Sequence, residues 1–215
     1  MTPLRSLLLL GSALALSACK PAEAPVAEAP PAPAPVEAPA PAPEPAPVAE
    51  TQAPASARSS LMPVGDSGVS GELRFEVDNG GVRVTGSFTG LKPGATHAFH
   101  IHEFGNCTAA DGSSAGGHFN PSAQAHGNRE GGGEHHAGDI PNQVAGPDGV
   151  AAVDQRLDGL QIGGGGDFDI IGRGVIVHAD ADDYTTQPTG NAGGRIACGV
   201  IEAELSAPTE ADPAQ

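Results

Sequence analysis

Leu73-Arg74-Phe75-Glu76-Val77, then Asp78-Asn79-Gly80-Gly81, then Val82-Arg83-Val84 decides the fold class of this chain. Two short runs with apolar residues at every second position flank an Asn-Gly turn, the pattern of a β-hairpin with one buried face. The same reading extends outward. His97 to His102, Val150 to Val153, Gly174 to His178 and Ile196 to Ala203 also read as strands, and helical periodicity is scarce. The chain carries 31 glycines in 215 residues, no Trp and one Tyr. Short strands separated by turn residues make an all-β sandwich or barrel, with residues 60–207 as one domain. The stretch 104–138 is too long for an ordinary connection, and ordered loops of that length usually carry function.

Metal-ligating side chains gather around that stretch. His100-Ile101-His102 precedes it, His118, His126, His136 and Asp139 lie within it or just beyond, and His178 follows. His100 and His102 are two apart, so on a strand both imidazoles leave the same face. Imidazole suits zinc, copper, iron and nickel. Seven such groups are too many for one tetrahedral site and fit two sites that share a ligand. His97 reads as a hydrogen-bonded structural histidine rather than a ligand, and His135 competes with its neighbour His136 for a place in the set.

The ends have a different character. Residues 1–18 read as an export leader, with Arg5 ahead of an apolar run from Leu7 to Leu16 that is too short to span a bilayer. Leu16-Ser17-Ala18-Cys19 resembles a bacterial lipobox, which implies cleavage before Cys19 and a lipid anchor on it. An ordinary signal peptide is the alternative. Residues 19–59 are dominated by Pro, Ala, Glu and Val, a composition that blocks helix and central strand and leaves a disordered, extended spacer. Residues 208–215 read as a disordered tail. The expected location is the cell envelope, as a membrane-anchored lipoprotein facing the periplasm, with inner or outer membrane left open.

With 26 Asp and Glu against 10 Lys and Arg, the chain lacks the basic face that nucleic-acid binding requires. Of its three cysteines, Cys107 and Cys198 remain once Cys19 is set aside. An exported chain favours a disulfide between them, and two free buried thiols are the alternative.

Several motifs then agree on a family. They are Phe99-His100-Ile101-His102-Glu103-Phe104-Gly105, Gly117-His118-Phe119-Asn120-Pro121, His136-Ala137-Gly138-Asp139, Ile170-Ile171-Gly172-Arg173, Val177-His178, and the run from Gly190 to Ile201. In this order and spacing they resemble the motifs of copper/zinc superoxide dismutases. The resemblance implies an eight-stranded Greek-key β-barrel or sandwich, immunoglobulin-like, with long metal-binding and electrostatic loops. It implies copper on His100, His102, His118 and His178, zinc on His118, His126, His136 and Asp139, and His118 bridging the two as an imidazolate. It gives Arg195 the guidance of the superoxide anion, and Asp182 the link between a copper histidine and a zinc histidine. Together with the leader and spacer, the whole looks like a bacterial, lipoprotein-anchored member.

One departure bears on rate. The loop from Ala179 to Gly194, the family's electrostatic loop, is short and carries three Asp and no Lys, so the usual basic steering groups are missing. Long-range steering should therefore be weak, and a steep fall of rate with salt would point to basic groups elsewhere, such as Arg129 or Lys92. The implied reaction converts superoxide to oxygen and hydrogen peroxide by copper redox cycling. The competing reading is a non-enzymatic envelope copper-binding or buffering protein on the same scaffold. The presence of every copper position together with Arg195 favours the enzyme. A blue-copper carrier fits less well, because such sites use a Cys and usually an axial Met. The sequence leaves a monomer and a homodimer equally open.

Overall fold

A computed structural model describes residue 54 and residues 56–204. The leader, Cys19, most of the spacer and the tail 208–215 lie outside the described residues. Ten strands follow in order: β1 Ser56–Pro63, β2 Ser70–Asp78, β3 Gly81–Thr89, β4 Thr96–His97, β5 Phe99–His102, β6 Gln143–Val144, β7 Ala151–Asp158, β8 Gly174–His178, β9 Arg195–Val200 and β10 Glu202–Glu204. The all-β expectation holds. Among the described residues the only helical pieces are two three-residue 3-10 turns, Ser113–Ala115 and Arg129–Gly131.

The hairpin forms as its sequence dictates. Asp78 faces Gly81 across the turn, and Asn79 and Gly80 have φ of 45° and 81°. Positive φ at both central residues is the type I′ turn, whose twist matches that of the strands it joins. Phe75 lies opposite Val84, both fully buried, while Arg74, Glu76 and Arg83 face water. From here one antiparallel sheet runs β5-β8-β9-β1-β2-β3-β7, with β10 also on β1, for eight strands in all. β1 curls across it, pairing with β10 at residues 56–58 and with β9 at residues 62–63. β4 and β6 form a separate two-stranded ladder.

β1 begins at Ser56, inside the segment assigned above to the spacer. The proline run ends at Pro54, and from Ala57 onward alternate residues turn inward. Two of those inward residues are Ala57 and Ser59, too small or too polar to advertise a strand.

The core decides how β5 is held. Phe88 on β3 meets Phe99 on β5 edge to face, with ring centroids 5.1 Å apart. Phe99 and Ile101 point into the main core, and full burial of each side chain contributes about 1.5–3 kcal/mol. The opposite face of the same strand is therefore fixed in place, and it carries His100 and His102. Cys107 and Cys198 form a disulfide with Cα atoms 5.8 Å apart, which removes the free-thiol alternative. It ties the long loop to β9 across 91 residues, a closure worth roughly 4–5 kcal/mol on a chain-entropy estimate.

Candidate metal centre

Alternation on β5 sends both imidazoles to one side, and β8 pairs beside it with His100 opposite Ile176 and His102 opposite Gly174. His178 ends β8 and brings its ring to 5.1 Å from that of His100. The long loop supplies the rest by folding back along β5. His102 bridges to His118 and His100 to Asp139, with Phe119 N–H donating to Ile101 O (2.8 Å) and Ile101 N–H to Gly138 O (3.0 Å). This approach needs a glycine, since a Cβ at residue 138 would collide with the Ile101 carbonyl.

Two clusters result. The donor atoms of His100, His102, His118 and His178 all lie within 4.8 Å of one another, and so do those of His118, His126, His136 and Asp139. All seven side chains are buried. The hydrogen bonds decide which ring nitrogen faces each cluster. His102 Nδ1–H donates to Gly116 O (3.0 Å) and His100 Nε2–H donates to Asp182 Oδ2 (2.9 Å). That leaves His100 Nδ1 and the Nε2 atoms of His102, His118 and His178 buried without partners, along with Nδ1 of His126 and His136. A buried polar atom without a partner costs free energy, and a cation accepting these lone pairs removes that cost. The donor chemistry agrees: four imidazoles suit copper, and three imidazoles with one carboxylate suit a closed tetrahedral zinc. His118 alone belongs to both sets, with Nε2 toward the first and Nδ1 2.7 Å from Asp139 Oδ1 in the second.

Asp182 ties the sets together behind their rings. Its Oδ1 accepts from His126 Nε2–H at 2.9 Å while Oδ2 accepts from His100. The carboxylate is itself held by the Tyr184 N–H (2.6 Å), and Asn142 brackets the Asp182 backbone from both sides. Gly190 backs the bridge, where a Cβ would strike Asp182 Oδ1.

The sets differ in their hold on protons. Burial drives His118 down to about 4 and His178 to about 3, and it pushes His102 well below the usual range. Burial also works against the imidazolium of His126, but the adjacent carboxylates of Asp139 and Asp182 outweigh it and raise the group to about 9. Asp139 and Asp182 are depressed in turn, because their histidine partners outweigh the burial that would raise them.

Arg195 reaches the first set through an irregularity in the sheet. Val177 pairs with Ala197 but His178 pairs with Arg195, so Ile196 is an extra residue, a β-bulge. Ile196 and Ala197 both face the main core, and Arg195 comes out on the side of His178. Its guanidinium donates Nη1 to Gly112 O and Nη2 to Gly116 O, both 2.6 Å. Gly116 O thus serves both Arg195 and His102. Half-burial weakens the Arg195 cation, and the nearby Asp111 charge works in the opposite sense.

Comparison with known proteins agrees with this geometry. The sequence profile described as copper/zinc superoxide dismutase matches residues 69–201. The chain belongs to the copper/zinc superoxide dismutase family. It is 43% identical to copper-zinc superoxide dismutase 3 of Arabidopsis thaliana over 159 residues, covering 70% of this chain and 93% of that one. To copper-zinc superoxide dismutase 2 of Mesembryanthemum crystallinum it is 46% identical over 149 residues, covering 66% and 92%. Among solved structures, a SOD-like protein from Bacillus subtilis superposes with a TM-score of 0.60 at 38% identity, over 66% of this chain and 96% of that one. The clock protein EA4 does so with 0.62 at 36%, over 71% and 97%. Membership makes this chain a copper- and zinc-dependent oxidoreductase, a superoxide dismutase.

The remaining histidines separate cleanly. His97 stands outside both clusters, donating Nδ1–H to His178 O at 3.0 Å. His135 is exposed and turned to Gly133 O, so His136 takes the place in the set. Arg129 turns its guanidinium inward onto backbone carbonyls beside Asp139. Asn142, Tyr184 and Arg129 all support this superoxide dismutase centre, and none lies in a motif that singles it out. Only their contacts reveal them.

Proposed function

We propose that superoxide dismutation occurs at the first cluster, with His100, His102, His118 and His178 holding copper and His118, His126, His136 and Asp139 holding zinc. Copper, when bound, supplies one-electron cycling, and zinc supplies a fixed closed-shell charge. The residues do the rest. Asp182 keeps His100 and His126 in the tautomers that aim Nδ1 inward, as outer partners of metal ligands commonly do. His118 Nε2 can take up a proton on its first-cluster side and return it to the reduced oxygen species, while Nδ1 stays committed to the second set. Arg195 gathers the anion: a guanidinium stays charged at any working pH and keeps donors beyond the two that Gly112 and Gly116 engage.

The observation that carries this reading is Arg195, swung by the bulge onto the face of His178. A copper buffer has no use for a half-buried cation beside its ligands. Arg195→Ala should keep both metals and lower kcat/KM by tenfold or more, about 1.4 kcal/mol per decade. Arg195→Glu should be slower still. A fully metallated Arg195→Ala protein as fast as wild type would return the chain to the buffering reading. The place of work we propose is the cell envelope, with the chain lipid-anchored through Cys19. Mass spectrometry of the mature N-terminus tests this, and an unmodified cysteine or a different cleavage site refutes it.

A further inference from the structure

The turn His136-Ala137-Gly138-Asp139 presents two ligands of the second cluster three residues apart, and Asp139 N–H donates to His136 O at 3.1 Å to close it. Its four carbonyls face inward and all find donors. Gly138 O accepts from Ile101 on β5. The other three are served by one side chain. Arg129 donates Nε to Asp139 O (2.8 Å), and its Nη2 donates to Ala137 O and, at 3.4 Å, to His136 O. Its Nη1 reaches Asp158 O at the end of β7 (3.3 Å), which anchors the turn to the main sheet. Arg129 itself starts the 3-10 turn Arg129–Gly131, two residues after Gly127, whose N–H donates to Asp139 Oδ2 (3.1 Å).

We infer that Arg129 is the positioning residue of the zinc cluster: its forked guanidinium holds the His136–Asp139 turn in the shape that aims His136 Nδ1 and the Asp139 carboxylate at one point. This rests on the zinc assignment proposed above. Three carbonyls on one turn demand several donors in a fixed plane. Arginine offers five, whereas lysine offers a single ammonium that cannot span them. The residue hydrogen-bonds to no donor atom of either cluster, so it holds the turn through backbone carbonyls, while its charge also acts on the nearby Asp139.

Arg129→Met and Arg129→Lys test this, read by zinc affinity in chelator competition and by the visible spectrum of cobalt(II) loaded in place of zinc. Arg129→Met should lower zinc affinity by tenfold or more, the usual scale for losing an outer partner of a ligand, and change the cobalt spectrum. Copper affinity should stay within about twofold. Arg129→Lys should fall between. A purely structural role would weaken both metals in parallel, and that result overturns the inference. So does a folded Arg129→Met protein with wild-type zinc affinity. If the Met variant does not fold, wild-type zinc affinity in Arg129→Lys is sufficient to reject it. His136→Ala is the control. If it leaves zinc binding intact, the zinc assignment fails. If it abolishes zinc binding while Arg129→Met does not, only the role of Arg129 fails.

Discussion

The two halves of the metal centre are built from different material. The copper-type set stands mainly on β5 and β8, where sheet pairing and a packed core fix three of its four histidines. The zinc-type set stands on a loop, and loop backbone has no ladder to satisfy it. It is held instead by close approach at Gly138, by the carbonyl contacts of Arg129, and by Asp139, which accepts from Gly127 and His136 N–H. Burial, with the neighbouring histidines, lowers the strand-borne rings of His102 and His178, whereas the carboxylates of Asp139 and Asp182 raise His126 on the loop. A site on regular structure can be made rigid by packing, and a site on a loop needs its own network of charges and hydrogen bonds.

The largest expected effect tests whether the halves are separable at all. His118→Ala should damage both metal sites, because that ring alone belongs to both clusters. His102→Ala should lose mainly copper and Asp139→Ala mainly zinc, as read by metal content after dialysis. Equal copper loss in His102→Ala and Asp139→Ala would dissolve the distinction between strand-borne and loop-borne sets.

A second effect, near a hundredfold, should appear in pH dependence. In metal-free protein His126, raised to about 9, is protonated below that pH, and zinc must displace the proton to use Nδ1. Zinc affinity should therefore rise about tenfold per pH unit from pH 7 toward 9. His118 and His178, lowered to about 4 and about 3, are already neutral there, so copper affinity should stay nearly flat. Chelator competition for each metal at several pH values checks this, and parallel slopes would refute it.

The smallest effect concerns what the loop does to the strand-borne set from outside. Asp111 is exposed, adjoins the Gly112 carbonyl that holds Arg195, and its negative charge acts on the Arg195 cation. Asp111→Asn keeps an oxygen to accept from Ser113 N–H but removes the charge. Its kcat/KM should rise about twofold at low ionic strength, and the gain should vanish in high salt. An unchanged rate at low salt would show that Arg195 alone sets the field at the entrance.

Much of this was legible in the chain. The Asn-Gly hairpin, the His-x-His strand and Gly174 to His178 follow from period-two patterning and turn chemistry, which act over a few neighbouring residues. β1 was not legible at its start, because its inward positions Ala57 and Ser59 carry no apolar signal and become strand only by pairing with β2. Asn142, Tyr184 and Arg129 were illegible for a different reason. Their partners are 7 to 42 residues away or bind through backbone atoms, which every residue type shares.

The sequence by itself determined the β class, the seven candidate ligands and the two cysteines available to pair, because those depend on residue type and motif spacing. Only the tertiary structure decided which imidazole nitrogen faces each cluster, and that Arg195 faces a cluster at all. Strict alternation back along β9 from Cys198, which shares a side with Ile176, would send Arg195 to the core face with Ala197. The extra residue at Ile196 reverses that side, and a bulge is a property of how two strands pair rather than of either strand alone.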